Sequence, residues 1–355
     1  MGTDGTLCAL NQISARCRVR KDESMNRMFS RRQSLKAMSQ ASVFCGLGGA
    51  AQQSVRADAQ TASNGLTVGI STLGFGGHTN AALAAELSAA GFNTIQLFLT
   101  QTDSAFWKYN SRTDLSGLTP ARCKAIAQTY RDAGLAIHSI GVYTNLMHPD
   151  DGELNANLAY FDAMMAVGGH MGVHTFITEA GHYYDTQVPS PRVPLEFQDA
   201  VWPRMIATAR KLDGLAAKHG AKVLFEPYFQ SFFASAKRVR LFVEELNSPR
   251  LRVLLDPANL LELNDLDEMF LQLAPWIECL HAKDRKYHTS RGVAAGQGDI
   301  DYKRFVALAA KHTPQVPLIL EYVGPKDYQD ARAHLLAAMR ACGIPERCAP
   351  TTINQ

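Results

Sequence analysis

Beyond about residue 65 the chain alternates short apolar runs with longer stretches of helical period. Eight runs have the length and β-branched character of strands: LTVGIST (66–72), FNTIQLFL (92–99), LAIHSIGVY (135–143), GVHTFIT (172–178), AKVLFE (221–226), LRVLLD (251–256), IECLHA (277–282) and VPLILE (316–321). Helical patterns follow them, at about 79–90, 119–133, 153–168 and 195–219 in the first half. Such alternation requires parallel strands joined by right-handed crossovers. Eight units within about 290 residues favour a single closed (β/α)₈ barrel of the α/β class over an open doubly wound sheet. No GxGxxG follows the first run and no GxxxxGK[ST] occurs anywhere; Gly74-Phe75-Gly76-Gly77 lacks the dinucleotide spacing and reads as a loop.

Four of the later runs end on a metal-ligand residue. Glu226, Asp256, His281 and Glu321 close VLFE, VLLD, CLH and LILE, with gaps of 30, 25 and 40 residues, about one strand-plus-helix repeat each. Alone, each would be an ordinary cap or loop residue. In parallel staves of one barrel, all four reach the same end. Three carboxylates and an imidazole suit Mn²⁺, Mg²⁺ or Co²⁺ better than a thiolate zinc site, so one divalent ion is expected there. His138 and His174 fall within strands and read as structural; the Met164-Met165 pair reads as helix packing.

The formal charge of +3 is concentrated at the N-terminus, where residues 1–59 hold nine Lys/Arg against four Asp/Glu. The remaining 27 basic and 29 acidic residues leave a body of net −2, which argues against nucleic acid as partner. Residues 1–59 read as a leader with a removable signal peptide, and 60–355 as the barrel domain. Ser30-Arg31-Arg32-Gln33-Ser34-Leu35-Lys36 resembles a twin-arginine export signal, although Ser34 stands where a large apolar residue is usual. A weakly apolar stretch, 37–51, then leads to the small-x-small site Ala57-Asp58-Ala59. That stretch is too short and too rich in Gly and Ala for a stable membrane anchor, and Phe44 before Cys45 does not fit a lipoprotein box. A periplasmic location is expected. Four of the seven Cys lie beyond the cleavage site with no CxxC pair, and Cys342 and Cys348 are near enough to bridge in an oxidising compartment.

FEPY, DPAN, HAKD, GQGDIDY and EY, in this order, resemble the xylose-isomerase-like sugar phosphate isomerase/epimerase barrels over about 66–340, as do Tyr143–Asp150 and Thr178–Gly181. The resemblance implies one divalent ion held by Glu226, Asp256, His281 and Glu321. It also implies an isomerase or epimerase acting on a ketose, oxidised sugar or cyclitol through a metal-stabilised enediolate, with Glu226 and Glu321 exchanging the α proton. His148, His182 and Lys283 are alternative mobile bases. Together with Asn259 and Asp284 they make the expected substrate-binding set, although Lys283 and Asp284 could instead pair with each other or with a neighbouring loop. Phe106, Trp107 and Tyr109 would stack on a sugar face or pack as lid core. The chain departs from the family pattern at Tyr228 and Asn259, where relatives carry His, and at Gln96, where several carry Glu.

A lyase or dehydratase of the 3-oxo-glycoside or inosose type shares the same first step. An apurinic-endonuclease-like reading would need a multi-zinc cluster and a basic groove, and a sugar-binding barrel without turnover is the remaining alternative. The expected partner is a small sugar or glycoside, in a monomer or homo-oligomer.

Overall fold

A computed structural model describes residues 65–183 and 195–347; the segment read as a signal peptide and Cys348 lie outside the described residues. All eight apolar runs form strands. In chain order the first half places β1 (Val68–Ser71) before α1 (Asn80–Ala89), β2 (Thr94–Leu97) before α2 (Pro120–Asp132), β3 (Ala136–Gly141) before α3 (Asp151–Met171), and β4 (Thr175–Thr178) before α4 (Val201–Lys218). The second half places β5 (Lys222–Phe225) before α5 (Ala236–Leu246) and β6 (Leu251–Leu255) before α6 (Leu266–Leu273). Then come β7 (Ile277–Asp284), the short β8 (Val293–Ala294), α7 (Tyr302–His312), β9 (Leu318–Leu320) and α8 (Tyr328–Ala341).

The order β6-β5-β4-β3-β2-β1-β9-β7 closes through β6–β7 pairing, and every pairing in this ring is parallel. The result is a single eight-stranded TIM barrel. β8 was not legible in advance: it adds antiparallel to the overlong end of β7, pairing Ala294 with Lys283 and Val293 with Asp284.

Local chemistry sets the helix starts. Thr79, Thr119, Asp150, Ser235, Asp265 and Asp301 each accept a backbone N–H at a helix N-terminus, a cap worth about 0.5–2 kcal/mol. The helix read at 153–168 runs from Asp151 to Met171, because Asp150 caps it one turn earlier and Gly172 (φ +68°) ends it in a left-handed turn. The helix read at 195–219 is split into a 3-10 turn, Leu195–Phe197, and α4. Pro203 lacks an N–H and is tolerated only in a first turn, so α4 begins just ahead of it.

Two apolar bodies hold the barrel. The larger lies between sheet and helices; the smaller fills the barrel interior with Phe98, Tyr143, Ile177, Leu224, Leu254, Cys279 and Ile319. The interior set fixes the inward parity of each strand. Side chains alternate along a strand, so the residue two positions after an inward one also faces the axis. Two residues past Ile177, Leu224, Leu254, Cys279 and Ile319 stand Glu179, Glu226, Asp256, His281 and Glu321. The apolar plug thus becomes a polar rim within one repeat of the pleat.

Candidate metal centre

The four expected ligands converge. Glu226, Asp256, His281 and Glu321 are buried, and one ligand atom from each lies within 4.8 Å of all the others. Among the described residues this is the single group of three or more His, Cys, Asp or Glu so arranged. Nδ1 of His281 lies 3.4 Å from Oε1 of Glu226, 3.9 Å from Oδ2 of Asp256 and 3.3 Å from Oε2 of Glu321.

The hydrogen bonding shows what this cluster lacks. His281 Nε2 lies 2.7 Å from Oε1 of Gln96, at the end of β2. With the carboxamide oxygen as acceptor, Nε2 carries the proton and Nδ1 turns its lone pair to the carboxylates. Nδ1 of His281 is buried without a hydrogen bond, and Oδ2 of Asp256 and Oε2 of Glu321 are met only by the Lys283 ammonium. Electron-rich atoms held face to face in a dry site need a cation between them. Three carboxylates and the Lys283 ammonium give a net charge of −2, which one divalent ion balances. The residues therefore fit the ion that the sequence implied.

The same frustration shows in the proton equilibria. Burial alone would depress the His281 imidazole, but Glu321 and Glu226 outweigh it and raise it to about 10. Burial raises the Asp256 carboxyl to about 6 against the pull of Lys283. A proton on His281 is the substitute available when no metal is bound.

Lys283 reinforces the rim. Burial opposes its charge, yet Asp256 and Glu321 hold its pKa well above the usual ammonium value. Nζ lies 2.7 Å from Oδ2 of Asp256 and 3.4 Å from Oε2 of Glu321, and donates to Oδ1 of Asn259 at 2.9 Å. Asn259, in the 3-10 turn Pro257–Leu260 after β6, passes the contact on by donating Nδ2 to Oε1 of Glu226 at 3.0 Å. The hydroxyl of Tyr143 donates to Oε2 of Glu226 at 2.6 Å, so both Glu226 oxygens are engaged.

A cavity of about 260 Å³ adjoins the cluster, and Glu226, Glu321, Asn259 and Lys283 form part of its wall. Phe98, Trp107, Tyr109 and Tyr143 make an aromatic side, with Trp107 edge-on to Phe98 at 5.2 Å; Tyr228 and Tyr322 also line the cavity. Of the loop aromatics, Trp107 and Tyr109 thus reach the cavity, while Phe106 packs against the core under Arg122. Tyr322 takes a left-handed backbone (φ +55°), a strained conformation that sets its ring 4.5 Å from Nζ of Lys283.

Three residues of the expected substrate-binding set sit elsewhere. Asp284 is out of phase with Cys279, His281 and Lys283, so its side chain leaves the barrel axis. Oδ1 accepts the N–H groups of Arg285 and Ile300, and Oδ2 that of Gly296, which pins the GQGDI loop. Nor does Asp284 pair with Lys283. His148 accepts the Asp150 N–H through Nδ1 at the head of α3. The backbone N–H of His182 donates to Oδ1 of Asn145, in a strand-end contact. Neither histidine is among the cavity-lining residues.

Sequence reasoning passed over Gln96, Tyr143 and Glu179. Gln96 was noted as a departure, yet it sets the His281 tautomer. Glu179, half-buried at the end of β4, lines the cavity and accepts the Tyr109 hydroxyl at 2.6 Å. Its signal was the parity shared with Glu226.

The chain belongs to the xylose isomerase-like TIM barrel family, whose model matches residues 84–342. No match was found among curated protein sequences. Among solved structures it is similar to the apo 3-keto-D-glucoside 4-epimerase of E. coli, with 14% identity and a TM-score of 0.60 over 77% of this chain and 99% of that one. It is similar, at 17% identity and a TM-score of 0.58, to the probable 3-DHS dehydratase AsbF of Bacillus anthracis, over 77% of this chain and 98% of that one. A xylose isomerase-like TIM barrel protein from Mycobacterium smegmatis, in complex with magnesium, matches at 17% identity and a TM-score of 0.58, over 79% and 98% of the two chains. At these identities the likeness establishes the fold.

Proposed function

We propose that this protein is a divalent-metal-dependent sugar isomerase or epimerase, acting on a ketose, oxidised sugar or cyclitol by removing a proton α to a carbonyl. One observation carries the reading. Three buried ligand atoms, of His281, Asp256 and Glu321, converge with the Lys283 ammonium as their one cationic neighbour, beside a cavity with an aromatic wall. An ion held by Glu226, Asp256, His281 and Glu321 would supply Lewis acidity toward the substrate carbonyl.

The chain's own residues do the rest. Glu321 lines the cavity, and a carboxylate giving one oxygen to the ion would keep its other oxygen to take the α proton. Lys283 holds an ammonium where negative charge would develop on a substrate oxygen. Trp107 lines the same space, and its buried indole N–H, without a partner, is a donor that a sugar hydroxyl could take up. A volume of 260 Å³ is below the roughly 300–1,000 Å³ of pockets for drug-sized ligands. It therefore suits a single sugar ring. The 3-keto-D-glucoside 4-epimerase among the similar structures supports the same substrate class.

Loss of a β substituent after the same proton abstraction is the second reading. The dehydratase among the similar structures favours it, as would export through the twin-arginine-like segment, since free sugars and glycosides are what a periplasmic enzyme meets.

The test is to incubate Mn²⁺-loaded protein with D-tagatose, D-fructose and a 3-keto-D-glucoside in deuterium oxide. Deuterium at the α carbon with a new epimer supports the first reading; loss of the α proton with an unsaturated product supports the second. Turnover that keeps the original α hydrogen rejects both.

A further inference from the structure

We propose that Glu179, positioned by Tyr109, is the second proton-transfer residue of the site, and that Glu226 serves as ligand only. The inference rests on the epimerase reading and assigns the group on the far face of the substrate.

Topology provides the first argument. In the closed order β6-β5-β4-β3-β2-β1-β9-β7, strands β4 and β9 are four staves apart in either direction, so they face each other across the barrel. Glu321 leaves the end of β9 and Glu179 the end of β4, both with inward parity and both lining the cavity. A sugar between them has a carboxyl group on each face. Glu226 stands on β5, beside Glu179, because Thr178 pairs with Phe225.

Hydrogen bonding provides the second. Both oxygens of Glu226 are already acceptors, from Asn259 and Tyr143. Glu179 lies outside the ligand cluster, and its bond from Tyr109 at Oε2 fixes the carboxyl's orientation in the cavity. Burial and the neighbouring Glu226 raise its pKa in the metal-free protein, the direction that favours a proton donor. The groups facing it are Tyr109, Tyr143, Glu226, Tyr228, Lys283 and Glu321.

The step balances without a co-reactant. Glu321 takes the α proton: the C–H bond breaks, its electron pair becomes a C=C bond, and the carbonyl π pair moves onto oxygen to give an enediolate. The Glu179 O–H bond then breaks, its proton bonds to the same carbon from the opposite face, and the carbonyl re-forms. The product is the epimer, Glu321 is left protonated and Glu179 ionised, and solvent exchange resets both.

The experiment compares Glu179→Gln, Glu321→Gln, Tyr109→Phe and Glu226→Gln with the natural protein, all Mn²⁺-loaded, on D-tagatose and D-fructose in deuterium oxide. Glu179→Gln should retain α-deuterium incorporation into the starting sugar, through Glu321 on one face, while epimer formation falls at least about 100-fold. Glu321→Gln should lose both. Tyr109→Phe should lose part of the epimer rate and keep exchange. One readout is independent of turnover: Glu179→Gln should bind Mn²⁺ within about threefold of the natural affinity, whereas Glu226→Gln should bind far more weakly, as loss of a ligand requires. Epimerisation by Glu179→Gln at the natural rate, or loss of exchange together with epimer, overturns the assignment while leaving the proposed function standing. A natural protein that exchanges no α proton of either ketose or of a 3-keto-D-glucoside overturns the proposed function and this inference with it. One that only eliminates overturns the two-face assignment.

Discussion

Lys283→Met isolates the electrostatics of the rim, because it keeps the length of the side chain and removes one charge. In the natural protein Nζ lies 2.7 Å from Oδ2 of Asp256, and both side chains are almost wholly buried. Removing one partner of a buried pair typically costs about 3–5 kcal/mol, since the other charge is left uncompensated. At roughly 2 °C per kcal/mol for a domain of this size, the midpoint of the chelated variant should fall by about 6–10 °C. A bound dication replaces the missing positive charge, so the deficit should shrink to less than half in saturating Mn²⁺. By linkage, the variant must then bind Mn²⁺ more tightly than the natural protein, by at least about tenfold if 1.4 kcal/mol or more is recovered. Scanning calorimetry in chelator and in Mn²⁺, with a Mn²⁺ titration of each protein, measures every leg of this cycle. Equal midpoints in chelator, or weaker Mn²⁺ binding by the variant, would refute the claim that Lys283 stands in for missing cationic charge.

Other consequences can be checked directly. His281→Ala should abolish stoichiometric Mn²⁺ binding, measured by elemental analysis after dialysis. Gln96→Leu removes the partner that sets the His281 tautomer and should weaken Mn²⁺ affinity about 10–100-fold, read by titration calorimetry. The Asp256 carboxyl is raised in the folded state to about 6. The stability it contributes to metal-free protein is therefore fully present below about pH 4 and is lost as pH rises through 6. Mn²⁺ affinity should rise over the same window, because the ligand must be ionised; denaturant melts and titrations at stepped pH follow both. Asp284→Ala should cost about 2–4 kcal/mol, by leaving three backbone N–H groups without their acceptor, yet leave Mn²⁺ affinity within about threefold. If the twin-arginine-like segment directs export, N-terminal sequencing of periplasmic protein should begin near Gln60; an intact leader in the cytosol is the contrary result.

The sequence alone determined the barrel and most of the candidate metal site, for a physical reason. A parallel strand with a covered outer face and a plugged interior must be apolar throughout, so each strand announces itself as an apolar run. The first polar residue after that run falls at the C-terminal rim, and parity fixes whether it faces the axis. Glu226, Asp256, His281 and Glu321 satisfy both conditions. Asp284 fails the second by one position, and counting from Cys279 would have excluded it. The same count from Ile177 would have included Glu179.

What the chain could not show is which residues meet across the ring. That His281 Nε2 is taken by Gln96, 185 positions away, follows from the closure of β7 through β9 and β1 to β2. Closure likewise sets Glu179 opposite Glu321, and brings Tyr143 and Asn259 to the two oxygens of Glu226. It leaves His148 and His182 in strand-end and helix-cap contacts, although as side chains they were reasonable bases. Pattern fixes the direction a side chain takes from its own strand; only the closed barrel decides what it faces.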